Sequence, residues 1–109
     1  MAAPVYSFLL FQQQGVSSST VAFTVPSSEV WVVRSIDCYV GAALLGAALL
    51  FNDLPSGGTW LRFEELEALA RSFTWTGRQV FPPGSGLEVV PENHAWDVRV
   101  SGYHFAAPA

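Results

Sequence analysis

An all-β antiparallel sandwich of about eight short strands, in a single domain spanning 1–109, is what this sequence predicts. Three observations predict it. Short β-branched and aromatic runs recur every 8–12 residues or so, separated by clusters of Gly, Pro, Ser and Asn, the spacing of a sandwich or barrel. The clearest runs alternate apolar and polar residues with period two, as half-buried strands do. A chain of 109 residues also buries roughly two-thirds of its unfolded surface, so one core suffices without a disulfide or metal staple.

Taken in order, Tyr6–Gln13 opens the series. Phe8, Leu9, Leu10 and Phe11 are apolar on both faces, so this strand needs cover on both sides. Gln12–Ser19 (QQQGVSSS) reads as a polar turn. Thr20–Val25 alternates, with Val21, Phe23 and Val25 on one face. After a turn at Pro26–Glu29, the segment Val30–Val40 is the longest strand. Val30, Val32, Ile36, Cys38 and Val40 share one face, which Arg34 interrupts; Trp31, Val33, Ser35, Asp37 and Tyr39 share the other. The preferred reading of Arg34 is a bulge or strand end that lets it reach solvent; the sharper one is burial against a carboxylate of a neighbouring strand or subunit.

Ala42–Phe51 is readable two ways. Its leucine spacing and alanines favour a helix, whereas Gly41, Gly46 and the flanking strands favour a strand over Leu45–Asn52, which is the reading taken. Asp53–Gly58 is a turn and Thr59–Phe63 a strand. Glu64–Arg71 (EELEALAR) has its acids first and its Arg last, matching the helix dipole, so 64–71 is either one short helix or a strand drawn in by its neighbours. Ser72–Phe81 follows and stops at Pro82-Pro83-Gly84. Leu87–Val90 and Trp96–Phe105 complete the set. Eight strands make the jelly roll the first choice among sandwiches; an immunoglobulin-like sandwich is second, weakened by the missing Cys…Trp…Cys pattern.

Half of the residues are hydrophobic and 13% are charged, about half of the ~25% usual in soluble domains. Part of that apolar surface is therefore expected to serve a partner. The net charge is −4, and the cations are five scattered arginines with no lysine, which argues against nucleic-acid binding. Cys38 is the one cysteine and reads as a small buried hydrophobe. The N-terminus lacks the basic and apolar regions of a signal peptide. The apolar run Gly41–Phe51 falls well short of the ~20 residues that span a membrane, so a soluble protein made in a cytosol is expected, with no membrane insertion.

Catalytic chemistry finds little footing. Gly84-Ser85-Gly86 sits in a Pro-rich turn without a nucleophile elbow. Glu92, His94 and Asp97 cluster in one turn, but solvated turn residues are the better reading than metal ligands. With two histidines and no H-x-H pair the metal set of a cupin is missing, and Gly57-Gly58-Thr59 lacks the Lys of a phosphate loop. Glu64, Glu65 and Glu67 are read as a solvated face rather than glycosidase carboxylates. No catalytic, cofactor-binding or metal-ligating residue is expected, and no cofactor; the chain is read as not an enzyme. Trp31, Trp60, Trp75 and Trp96 are expected mainly in the core, with one or two lining an interface. Arg34, Trp75, Arg78 and Trp96 are the structural candidates, Trp75 largely buried and Arg78 held by a carboxylate or backbone carbonyls.

The segments Val32–Asp37, Trp75–Val80 and Val100–Tyr103 resemble small virion proteins of tailed phages infecting actinobacteria, of the minor tail or capsid decoration type. The resemblance covers about Thr20 to Tyr103 and weakens over Ala42–Arg71. It implies a structural role in a virion made in the host cytoplasm, with phage capsid or tail proteins as partners.

Together these readings give a non-enzymatic virion module that binds a capsid or tail surface and self-assembles as a symmetric oligomer, a trimer favoured. The alternative is a receptor- or carbohydrate-binding module of a tail tip. The two ends of the chain are expected to pair in one sheet, leaving the outer aromatics Tyr6, Phe8, Tyr103 and Phe105 as interface candidates.

Overall fold

The computed structural model of the chain describes residues 8–42 and 46–108. Eight strands follow one another: β1 (Phe8–Val16), β2 (Thr20–Thr24), β3 (Glu29–Val40), β4 (Ala47–Leu54), β5 (Thr59–Glu65), β6 (Arg71–Phe81), β7 (Gly86–Glu92) and β8 (Trp96–Ala106). They form two four-stranded sheets, the first ordered β1-β8-β3-β6 and the second β2-β7-β4-β5. Every pairing is antiparallel. Strands that neighbour in sequence mostly lie in different sheets, which is the jelly-roll arrangement of a β-sandwich. The two ends of the chain do pair: Phe8 lies opposite Gly102 and Leu9 opposite Ser101.

The core fills the space between the sheets. Ile36, Cys38 and Val40 of β3 face Leu49 and Phe51 of β4, with Leu87 and Val89 of β7 and Trp96, Val98 and Val100 of β8. Period-two alternation puts these side chains on the inner faces. Where β5 and β6 form one edge of the sandwich, larger rings close the gap. Phe63 stacks on Phe73 at 5.1 Å, and Trp60 meets Trp75 edge to face at 5.3 Å.

Expectations for two stretches are corrected. The octet 64–71 holds no helix: Glu64 and Glu65 end β5, Arg71 begins β6, and the chain crosses from one sheet to the other between them. Glu65 turns inward and is buried. One oxygen of its carboxylate accepts the Glu67 N–H at 2.7 Å. The other lies 2.7 Å from Arg71 Nε, off the N–H axis, so charge rather than a directed bond holds the pair. A buried carboxylate that organises the crossover outweighs the dipole pattern that favoured a helical turn. The stretch Gln12–Ser19 is not wholly a turn either, since β1 continues to Val16, which is fully buried. Gly15, at φ +69°, makes this possible by donating its N–H to Asp97 Oδ1 at 2.9 Å. The strand expected over Leu45–Asn52 is β4, Ala47–Leu54, Leu45 itself lying outside the described residues.

Arg34 stands where the register of β3 shifts against both β6 and β8, between Val33 and Ser35. Val33 is buried, Arg34 exposed and Ile36 buried again, so the bulge resets the alternation and carries the charge to solvent. At this level β8 approaches β3 so closely that only glycine fits. A Cβ on Gly102 would overlap the Val32 carbonyl oxygen and lie 2.9 Å from its carbon and 3.1 Å from Val33 Cα.

Candidate functional site

The outer face of the first sheet has two ends of different chemistry. At the end nearer the chain termini, cross-strand registry sets Val32 between Tyr103 and Val80, and Val30 beside Phe105. Leu9 joins from the edge strand. Leu9, Val80 and Phe105 are each 44–46% exposed, while Val32 is fully buried although it faces outward, because its two neighbours close over it. The rings of Tyr103 and Phe105 lie 6.2 Å apart and nearly parallel. This is a continuous apolar band on a solvent-facing sheet.

Of the interface candidates, Tyr103 and Phe105 belong to this band. Tyr6 lies outside the described residues. Phe8 does not join them: its ring meets His104 edge to face at 5.1 Å, and His104 in turn stacks on Trp31 at 5.4 Å and lies 2.7 Å from a Glu29 oxygen. Val30, Val32, Val80 and Leu9 are members that sequence reasoning missed. The signal for Val80 was present, since strict alternation along β6 places it on the face opposite Trp75.

Among the structural candidates, Trp96 is fully buried in the core. Trp75 is half-buried, its ring lying across Gly77, where a Cβ would come within 2.7 Å of it. Arg78 is exposed and, among the described residues, has no hydrogen bond or ion pair, in place of the expected anchor. It points outward by the alternation of β6, on which no carboxylate-bearing strand follows. Arg34 and Arg99 are likewise exposed and unpaired among the described residues. Three of the five arginines thus stand free around this one face.

Toward its other end the face turns polar and concave. One row across the sheet reads Gln12, Arg99, Asp37, Thr74; the next reads Asp97, Tyr39, Ser72. These side chains line an open depression of about 310 Å³. The thiol beneath it, Cys38, is pushed up to about 12 by burial and, secondarily, by the charge of Asp37, which makes it a poor nucleophile.

The outer face of the second sheet is finished differently. Arg62 pairs with Glu64 and stands 3.7 Å from Glu92. Asn52 donates to Glu88 at 3.1 Å and accepts from Thr59 at 2.5 Å. Glu92 is thereby engaged away from His94, and Asp97 is bound to Gly15. No three His, Cys, Asp or Glu side chains among the described residues converge on a point that could hold a metal ion. Among the described residues no helix is long and apolar enough to cross a membrane.

No known family and no curated protein matches the sequence. In solved structures the chain is similar to a protein of the virus-like particle of the extra small virus of the giant freshwater prawn Macrobrachium rosenbergii, with TM-score 0.46 and 12% identity over 95% of this chain and 77% of that one. It is similar to a protein of the infectious bursal disease virus T13 particle, with TM-score 0.42 and 16% identity over 93% of this chain and 29% of that one. A third similarity is to mud crab dicistrovirus, with TM-score 0.35 and 12% identity over 97% and 76% of the two chains. Identities and scores at this level carry no role from those proteins to this one.

Proposed function

We propose that this chain is a non-enzymatic structural protein of a virion, a jelly-roll module that docks on a phage capsid or tail surface and self-assembles around a symmetry axis, a trimer favoured. The observation that carries the proposal is the apolar band of Leu9, Val80 and Phe105, each close to half exposed on one face, bordered by the unpaired Arg34 and Arg78. Apolar and aromatic centres rimmed by arginine are what protein interfaces enrich. Closed symmetric assembly is the usual way such a patch is covered. The resemblance of Val32–Asp37, Trp75–Val80 and Val100–Tyr103 to small phage virion proteins supports the same reading.

Light scattering coupled to size exclusion tests it. The wild-type chain is expected as a symmetric oligomer, and Phe105→Asp as a folded monomer, because a charge placed in a desolvated contact has no partner there. A wild-type protein that is strictly monomeric and fails to bind purified phage particles overturns the proposal.

A further inference from the structure

The polar end of the first sheet lies apart from the apolar band, and what it can bind does not depend on a role in a virion. We infer that the depression around Tyr39 binds a neutral carbohydrate, one or two sugar rings seated on the tyrosine and held by the carboxylates and the guanidinium beside it.

The geometry is that of a platform with fixed polar groups around it. Tyr39 is 45% exposed and lies between Asp97 and Ser72 across the strands. Its ring is thereby offered to solvent at the floor of the depression, an amphipathic surface on which the C–H face of a pyranose can stack. Asp97 lies directly opposite Tyr39, at about 5 Å, and Arg99 is its diagonal neighbour at about 7–8 Å, with Asp37 next along the same face of β3, so a ligand wider than the ring can reach all three.

Each carboxylate is oriented by one bond and leaves an oxygen over. Asp37 Oδ1 accepts from Thr74 Oγ1 at 2.9 Å, and Asp97 Oδ1 accepts from the Gly15 N–H at 2.9 Å. Arg99 faces Asp37 across the strands and Gln12 on its other side, yet forms no ion pair among the described residues. Its donors remain available. Acceptors held in place, free guanidinium donors and an amide that does both are the set that vicinal hydroxyls satisfy, since each hydroxyl donates once and accepts twice.

Other occupants fit less well. Two carboxylates against one guanidinium leave a local charge of about −1, which disfavours phosphate and other anions. An apolar segment would strip water from Asp37 and Asp97 without replacing it. A metal ion finds no three ligands converging among the described residues. The volume, about 310 Å³, sits at the small end of the roughly 300–1,000 Å³ of ligand pockets. An oligomer that presents several copies of the site would strengthen binding through avidity.

The test is a titration of the isotope-labelled full chain, followed by backbone amide shifts, with maltotriose, cellotriose, a β-1,6-galactose trisaccharide and N-acetylglucosamine trisaccharide at millimolar concentration. The expected result is that at least one sugar shifts amides in 12–14, 37–39, 72–74 and 97–99. Tyr39→Ala weakens that binding at least about tenfold with an unchanged melting temperature, Tyr39→Phe retains it, and Asp37→Asn weakens it on a ring platform left intact. Absence of shifts with all four sugars overturns the inference, as do shifts that persist unchanged in Tyr39→Ala. Shifts in these amides that track protein concentration and ignore sugar also overturn it, marking the depression as a contact between copies. Because Phe105 is not part of the depression, loss of oligomer in Phe105→Asp leaves this outcome legible.

Discussion

The two outer faces of the sandwich start from similar strands and are finished in opposite ways. On the second sheet Arg62, Glu64, Glu92, Asn52, Glu88 and Thr59 are bonded to one another, so their charges and dipoles are spent within the chain. On the first sheet Arg34, Arg78 and Arg99 are unpaired among the described residues, and Leu9, Val80 and Phe105 stand in water. Exposed ion pairs add little to stability, so the second face is not made firmer by its network. What the network does is remove unsatisfied groups that a partner could use. The contrast teaches where to look for contacts: on the face whose side chains do not answer each other.

The largest expected effect tests the seam under the unsatisfied face. Gly102→Ala must part β8 from β3, because the obstruction is the backbone of Val32 and Val33, and we expect a loss of roughly 3 kcal/mol in a urea melt. A control in the exposed turn between β4 and β5, Gly58→Ala, meets nothing closer than 3.8 Å and should stay within about 0.5 kcal/mol. Equal effects would show that β8 and β3 yield to an added methyl as readily as an open turn does.

The second test sets a paired arginine against an unpaired one. Arg71→Ala leaves the buried Glu65 carboxylate facing a lost charge at 2.7 Å. Arg71 is about half exposed, so the cost is discounted from that of a fully buried pair to roughly 1–2 kcal/mol. Arg78→Ala removes no bond among the described residues and should leave the melt within about 0.5 kcal/mol while weakening association. A large stability loss in Arg78→Ala would mean that this side chain serves the fold after all.

The smallest effect concerns the interior shared by both faces. The Cys38 thiol is raised to about 12, whereas in the unfolded chain it ionises near pH 8.5. The folded state therefore holds a proton that the unfolded state loses. The associated stability is complete below about pH 8 and falls as the pH rises, by about 1–2 kcal/mol near pH 10. Urea melts at the two pH values should show a slope that Cys38→Ala reduces, and the native thiol should resist alkylation. Rapid labelling of the folded protein would contradict its burial.

Strand positions were legible because period-two patterning and turn residues are local signals. All eight strands lie where those signals put them, to within a few residues at most ends. Two readings failed for one shared reason. The helical alternative over 64–71 and the turn expected over Gln12–Ser19 were judged from composition, while Glu65 is fixed by its hydrogen bond to Glu67 and the charge of Arg71, and Gly15 by its hydrogen bond to Asp97. The candidate face was half legible. Tyr103 and Phe105 stood out as aromatics near a terminus, whereas the depression could not be seen at all. It exists only because registry brings Gln12, Asp37, Ser72 and Asp97 together from four strands, and registry between distant strands leaves no mark in a single sequence.

The order of the strands has a consequence for the way this protein is made. In the first sheet β8 lies between β1 and β3, and in the second β7 lies between β2 and β4. The two central joints are thus the last of these eight strands to leave the ribosome. Until they emerge, β1 has no neighbour in its sheet, nor has β2 in the other, although β3 can already pair with β6 and β4 with β5. Closure of both sheets waits for β7 and β8, a long-range step that is slow by nature. During that interval the chain is most exposed to aggregation, so its yield in a cell depends on how quickly β7 and β8 follow the rest and on whatever shelters β1 to β6 meanwhile.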